Sequence, residues 1–180
     1  MIKSYVKYFA FAALLIILLG VWFALKSEGL SLYATIRFSL IIVFGYVATL
    51  FDISQKRIPN GLVLGMFAAW ALLIFLLLVF RSAEGVEALI DSVLGLFTGG
   101  GVFLVVYILS KKGLGGGDVK FMAAAGLYLG LSKTIPAILY GTILAALVGF
   151  IFVALGKITK KDSIPLAPFL FIGIAITAFT

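Results

Sequence analysis

Residues 61–80 read GLVLGMFAAWALLIFLLLVF, an unbroken run without a charged side chain. A helix rises about 1.5 Å per residue, so such a run reaches about 30 Å, the thickness of the hydrocarbon core of a bilayer. Working outward, further apolar runs lie between charges at Tyr8 to Leu25, Leu32 to Phe51, Ala88 to Ser110, Val119 to Leu131, Ile135 to Gly156 and Pro165 to Ala178. Over its 180 residues the chain is 64% hydrophobic and 12% charged, where ordinary globular domains carry about 25% charged. The expected fold is an all-α polytopic membrane helix bundle with about seven transmembrane helices. Lys3 and Lys7 precede the first run as in a signal peptide, but the run is long and no Ala-x-Ala site closes it. A retained helix is therefore expected there.

Positive charge sets the orientation, because short loops rich in Lys and Arg stay on the cytoplasmic side. With the N-terminus inside, the inner segments hold Lys3, Lys7, Lys56, Arg57, Lys111, Lys112, Lys120, Lys157, Lys160 and Lys161, whereas the outer loops hold Lys26, Arg81 and Lys133. Arg37 falls inside the second span and is expected to snorkel outward. The net charge of +7 is then a signal of topology. It does not call for nucleic acid, since the charges are dispersed between spans and form no continuous patch.

The sequence has no cysteine and no histidine. Thiol nucleophiles, Ser-His-Asp relays and the usual zinc ligands are thereby excluded. The acids are Glu28, Asp52, Glu84, Glu87, Asp91, Asp118 and Asp162, and a site built on carboxylates must draw on these. Asp91 lies a few residues into the fourth span from its outer end, where a solvated interfacial role is expected. Asp162 sits beside Lys160 and Lys161 and reads as a solvated partner.

Two inner loops differ from simple connectors. The first runs Asp52-Ile-Ser-Gln-Lys-Arg-Ile-Pro-Asn60. Pro59 disfavours helical geometry at Ile58, and Asn60 is a candidate cap for the third span. The second runs Lys111-Lys-Gly-Leu-Gly-Gly-Gly-Asp118, whose glycines offer backbone freedom and deliver Asp118 to the start of a helix. It is not a phosphate cradle: it lacks the Gly-Lys-Ser/Thr ending, and no strand precedes it. From Asp118 to Lys133 is about 22 Å of helix, which places the carboxylate roughly 8 Å inside the inner edge of the core if Lys133 marks the outer one. The same spacing separates Arg37 from Asp52, so both acids are expected at one level. Ionisable groups at membrane depth mark functional sites, and glycine-rich backbone there needs protein or water around it. Lys120 is about 200° round the helix from Asp118 and is expected to snorkel to the inner interface, with electrostatic support of the site as the alternative. Small-xxx-small spacing at Gly61/Gly65, Gly95/Gly99 and Gly126/Gly130 predicts close helix packing. Gly99 to Gly101 offer a second use, thinning a helix to admit an extended substrate.

Asp52 with Arg57-Ile-Pro-Asn60, and Gly115-Gly-Gly-Asp118 followed by Val119-Lys120, resemble the prepilin peptidases, the GxGD-type intramembrane aspartyl proteases that include preflagellin peptidases. Ile164-Pro-Leu-Ala-Pro-Phe169 resembles the family's proline-rich start to its last helix, although Ala167 stands where glycine is frequent. The resemblance implies a peptidase core over residues 32–180, preceded by an additional helix and outer loop over residues 1–31. It implies that Asp52 and Asp118 are catalytic, that Gly115, Gly116, Gly117, Ile58, Pro59 and Asn60 shape the site, and that no metal or organic cofactor takes part. Larger members carry a domain with paired Cys-x-x-Cys motifs associated with zinc and methylation. With no cysteine, the short form without a methyltransferase domain is expected. Expected partners are prepilin-like substrates, each with a basic leader and an apolar helix, together with the bilayer of the inner membrane, the site facing the cytoplasm. In such a dyad two nearby carboxylates share one proton and hold a water between them. Helix termini would make Asp118 the base and Asp52 the acid. A small proton-coupled transporter or channel is the competing class, disfavoured by the apolar outer halves of the spans.

Overall fold

A computed structural model describes residues 32–110, 113–156 and 164–179. These residues form an all-helical bundle: α1 (Leu32–Gln55), α2 (Asn60–Phe80), α3 (Ser82–Leu109), α4 (Gly116–Ala154) and α5 (Ala167–Phe179). The first four are long and apolar enough to cross a membrane, and the fifth is a shorter apolar helix. Phe75, Val79, Phe97, Ile108 and Phe150 are exposed on the outside of the bundle, as lipid-facing positions allow and a soluble surface does not. The chain is a multi-pass membrane protein. The expected first span, Tyr8 to Leu25, lies outside the described residues.

Five helical elements cover the described residues, and the fourth holds two of the seven expected spans. The runs Val119 to Leu131 and Ile135 to Gly156 meet in the 39-residue α4, two helices joined across a break at Gly130 with φ 71° and ψ 178°, the second ending at Ala154. That backbone region is open essentially only to glycine. Asp91 of α3 accounts for the break. Its Oδ1 accepts the Leu131 N–H at 2.9 Å, and a Cβ added at Gly130 would collide with its carboxylate. Asp91 is thus the cap of the second half of α4, a role added to the interfacial one expected of it, since its side chain stays 40% exposed. The Arg37 side chain is mostly buried, 3.7 Å from Asp91 Oδ2, and it donates to Leu129 O at 3.5 Å. Arg37, expected to snorkel outward, is turned instead to the helix break that Asp91 caps. Losing a cap costs about 0.5–2 kcal/mol. Asp91→Ala is therefore expected to lower stability by about 1 kcal/mol in denaturant unfolding in detergent, with Asp91→Asn losing less because it keeps an acceptor. Wild-type stability in the Ala variant would remove this role.

The halves of α4 pack on α3 and α5 by backbone contact. A Cβ at Gly95 would run into Gly126 O and sit 2.8 Å from Gly130 C; one at Gly99 would meet the Met122 carbonyl. These glycines pack as expected: Gly99 and Gly100 face Met122 and Ala123, while a Cβ at Gly101 would meet nothing within 4 Å. Gly61 and Gly65 depart from expectation: nothing lies within 4 Å of a Cβ at Gly61, and only Phe44 approaches Gly65. Gly173 of α5, unmarked by spacing within its own span, lies against Ala137 and Gly141. Phe121, Met122, Leu127, Tyr128, Met66 and Ile41 fill the centre. The Tyr128 hydroxyl donates to Met66 O, tying α4 to α2.

Candidate active site

The C-terminal ends of α1 and α3 and the N-terminal ends of α2, α4 and α5 gather at one end of the bundle. Asp52 lies in the last turn of α1, which ends when Lys56 enters the left-handed region at φ 50°. Its N–H donates to Asp52 O at 2.9 Å. The chain then extends through Pro59, at φ −64° and ψ 138°, into α2. Asp118 occupies the first turn of α4, as expected.

Both aspartates line a cavity of ≈ 520 Å³ together with Gln55 to Asn60 and Gly115 to Gly117. The two aspartates also line a second cavity, of ≈ 400 Å³, together. Asp52 is 6% exposed. Its Oδ2 accepts the Ala167 N–H at 2.9 Å, so this carboxylate takes up one of the free donors at the start of α5. Thr49, one turn earlier, lies with its hydroxyl 2.9 Å from Gly45 O and 3.5 Å from Ala167 O. Asp118 Oδ1 is buried with no hydrogen-bond partner in the structure.

The glycine loop works by space and not by left-handed backbone. Gly115 has φ −71° and ψ 134°, and the only positive-φ glycines among the described residues are Gly130 and Gly156. A Cβ at Gly115 would lie 2.8 Å from Asp118 Oδ2. At Gly117 it would touch Ile58 at 3.4 Å, and at Gly116 it would meet nothing within 4 Å. Ile58 is buried, so the two loops meet at Gly117 and Ile58. Asn60 is not the cap it was expected to be: α2 has no side-chain cap bond. Its Oδ1 instead accepts Lys120 Nζ at 3.1 Å. Lys120 thus bridges the two motif segments. In the sequence Ile164 to Phe169 reads only as a proline-rich helix start; its contact with Asp52 through the Ala167 N–H was missed, because a backbone donor leaves no residue-type signal. Pro168, without an N–H, was the trace of a helix start there.

Residues 38–150, well over half of the chain, match the model of the Type IV leader peptidase family. The chain belongs to that family. The match spans both aspartates and ends before the Ala167 segment. Curated relatives include a "Prepilin leader peptidase/N-methyltransferase" of Escherichia coli (strain K12), 33% identical over 70% of this chain and 54% of the relative. Proteins of the same name from Bacillus subtilis (strain 168) and Legionella pneumophila are 29% and 28% identical, over 75% and 83% of this chain and 50% and 55% of theirs. The chain spans about half the length of these relatives. No solved structure matches it.

Proposed function

We propose that this chain is a membrane-embedded aspartic endopeptidase that removes the leader of type IV prepilin-like precursors at the cytoplasmic face, with Asp52 and Asp118 as its dyad. The observation that carries this is the convergence of two carboxylates, from the end of α1 and the start of α4, on one cavity at the Lys56, Arg57 and Lys120 end of the bundle. Membership of a leader peptidase family supports the substrate class, taken here as a basic leader followed by an apolar helix. Its cleavage point would fall near the inner interface, and the Lys and Arg around this cavity support the same side for it.

Asp52 is assigned as base and Asp118 as acid, the reverse of what helix termini alone suggest. Asp52 already acts as an acceptor, toward Ala167 N–H, whereas the unpartnered Asp118 Oδ1 is less costly to bury on a neutral carboxyl. Asp52 takes a proton from a water held between the pair as the water oxygen bonds to the scissile carbonyl carbon. Asp118 gives its proton to the carbonyl oxygen, producing a tetrahedral diol. Collapse of the diol breaks the C–N bond: Asp118 recovers a proton from a hydroxyl, and Asp52 passes its proton to the leaving nitrogen. The products are a carboxylic acid and an amine, and the dyad returns to its starting state.

A transporter would need a polar path to the far side. Between Asp118 and the Asp91 to Leu131 bond lie about 20 Å of helix, and Phe121, Met122, Leu127 and Tyr128 are fully or almost fully buried there. The test is direct: the purified chain in detergent is expected to shorten a precursor bearing a basic leader and an apolar helix, at one bond located by mass spectrometry. A precursor left intact under conditions where the chain is folded would overturn the proposal.

A further inference from the structure

Lys120 has no part in the proton relay, yet its ammonium is engaged across helices: Nζ donates to Asn60 Oδ1 at 3.1 Å. A second contact joins the same two segments. Gly117 rests on Ile58, where a Cβ would lie 3.4 Å from Ile58 Cβ and 3.4 Å from its backbone N. Ile58 is buried, whereas Asn60 and Lys120 are exposed. Each residue of a helix turns about 100° from the last, so Gly117 and Lys120 share a face at i and i+3. That face of the first turn of α4 is laid on Ile58 to Asn60. Asp118 stands about 100° from Gly117 and about 200° from Lys120. Its side chain therefore leaves the turn on another side, toward the cavity that Asp52 also lines.

We infer that Lys120 and Asn60 are positioning residues, whose hydrogen bond sets the roll of the first turn of α4 and so aims the Asp118 carboxyl at the water it shares with Asp52. This inference rests on the peptidase reading and adds to it the groups that keep Asp118 in register. Gly117 has no side chain to interlock with Ile58, so that contact alone lets the turn roll. A hydrogen bond weakens steeply when bent, and one on the same face opposes the roll. Asp118 Oδ1 has no hydrogen-bond partner in the structure, so no bond to that atom orients the carboxyl, and its aim comes from the turn that carries it. The leverage is large. A roll of about 10° carries a group 5–6 Å from the helix axis through about 1 Å, and a misplacement of that size can cost about 10²-fold in rate. The other use of Lys120, as a charge acting on the carboxylates directly, fits less well: the residue lies on the far side of the turn from Asp118, and its ammonium is spent on a neutral amide oxygen.

The test uses the full chain in detergent and one precursor bearing a basic leader and an apolar helix. Lys120→Met keeps a long side chain and loses its donors. It is expected to lower kcat by about 10²-fold and leave KM in place, since the roll alters the reacting geometry and not the binding of substrate. Its denaturant midpoint should not move, because an exposed polar bond adds little to stability. Asn60→Ala should reproduce the loss, and the double variant should lose no more than either single one, as partners in one bond do. Lys120→Arg and Asn60→Asp, which keep a donor and an acceptor, should recover most of what the Met and Ala variants lose. The pH profile of kcat in Lys120→Met should keep its midpoints and fall only in height. Losses that add in the double variant would overturn the inference, as would a wild-type rate in Lys120→Met. An Asn60→Ala chain as fast as wild type, or midpoints displaced upward in Lys120→Met, would overturn it in favour of a direct electrostatic role. Should Lys120→Met fail to fold, Lys120→Ala completes the same cycle. Every readout presupposes wild-type cleavage, so all are distinct from failure of the peptidase reading, in which wild type leaves the precursor intact.

Discussion

Asp52→Asn and Asp118→Asn are each expected to lower the rate of leader removal by at least about 10³-fold, since each takes away one half of a proton relay whose members contribute about 10²–10⁴ apiece. The choice of asparagine matters for Asp52. Its Oδ2 accepts the Ala167 N–H at 2.9 Å in a buried setting, so alanine there removes a catalytic group and a structural acceptor together. An orphaned buried donor costs about 1–3 kcal/mol. Asparagine keeps an oxygen that can accept the same bond but cannot take a proton from water. Asp52→Asn should therefore be inactive and as stable as wild type, whereas Asp52→Ala should be inactive and about 1–3 kcal/mol less stable. Single-turnover cleavage and denaturant unfolding on the same samples separate the two effects. Retained activity in either asparagine variant would dismiss the dyad. Equal unfolding of Asp52→Asn and Asp52→Ala would leave the dyad standing and remove the link to α5.

The membrane bundle was legible because length and charge decide it: a run such as Gly61 to Phe80 has few alternatives to a span. The two aspartates were legible because so few acids exist and because glycine and proline mark the loops that present them. What the sequence hid were relations in which backbone is one partner. The helix break at Gly130 looked like one more small residue in a packing repeat, and its cause, Asp91, lies 39 positions away on another helix. The second role of Asp91 was hidden because side-chain type does not reveal that a helix start, Leu131 N–H, needs an acceptor there. Asn60 carried a cap's residue type, but Lys120 Nζ at 3.1 Å engages its Oδ1. Glycine spacing was equally double-edged. Gly95 and Gly126 meet another backbone while Gly61 meets nothing, and the spacing is the same in both cases.

That last contrast yields the second large effect. Gly126→Val is expected to cost more than about 3 kcal/mol, beyond the usual 1–3 kcal/mol of an overpacked core, because nothing flexible stands in the way. A Cβ at Gly126 would lie 2.5 Å from Gly95 C and 2.9 Å from Leu96 N, with the Gly95 carbonyl oxygen nearer still. These are backbone atoms of a helix, so relief requires α3 and α4 to separate and lose the van der Waals packing that holds membrane helices together. With total stabilities of about 5–15 kcal/mol, a loss of that size is a large fraction of what is available. Even Gly126→Ala places its Cβ in the same space and is expected to act in the same direction. The consequence reaches the site. Gly126 lies on the same half of α4 as Asp118, about 12 Å along the axis, and a helix forced off its neighbour carries that carboxylate with it. A displacement of about 1 Å can cost about 10²-fold in rate, so Gly126→Ala should lose cleavage by about that factor despite touching nothing in the cavity. Gly101→Ala is the control on α3: its Cβ meets nothing within 4 Å, and a helical alanine in place of glycine gains about 0.5–1 kcal/mol. Unfolding of the two variants should shift in opposite directions, with cleavage lowered in Gly126→Ala and kept in Gly101→Ala. Wild-type behaviour of Gly126→Ala would mean that α3 and α4 do not meet through backbone, and the close approach that fixes Asp118 would have to be abandoned.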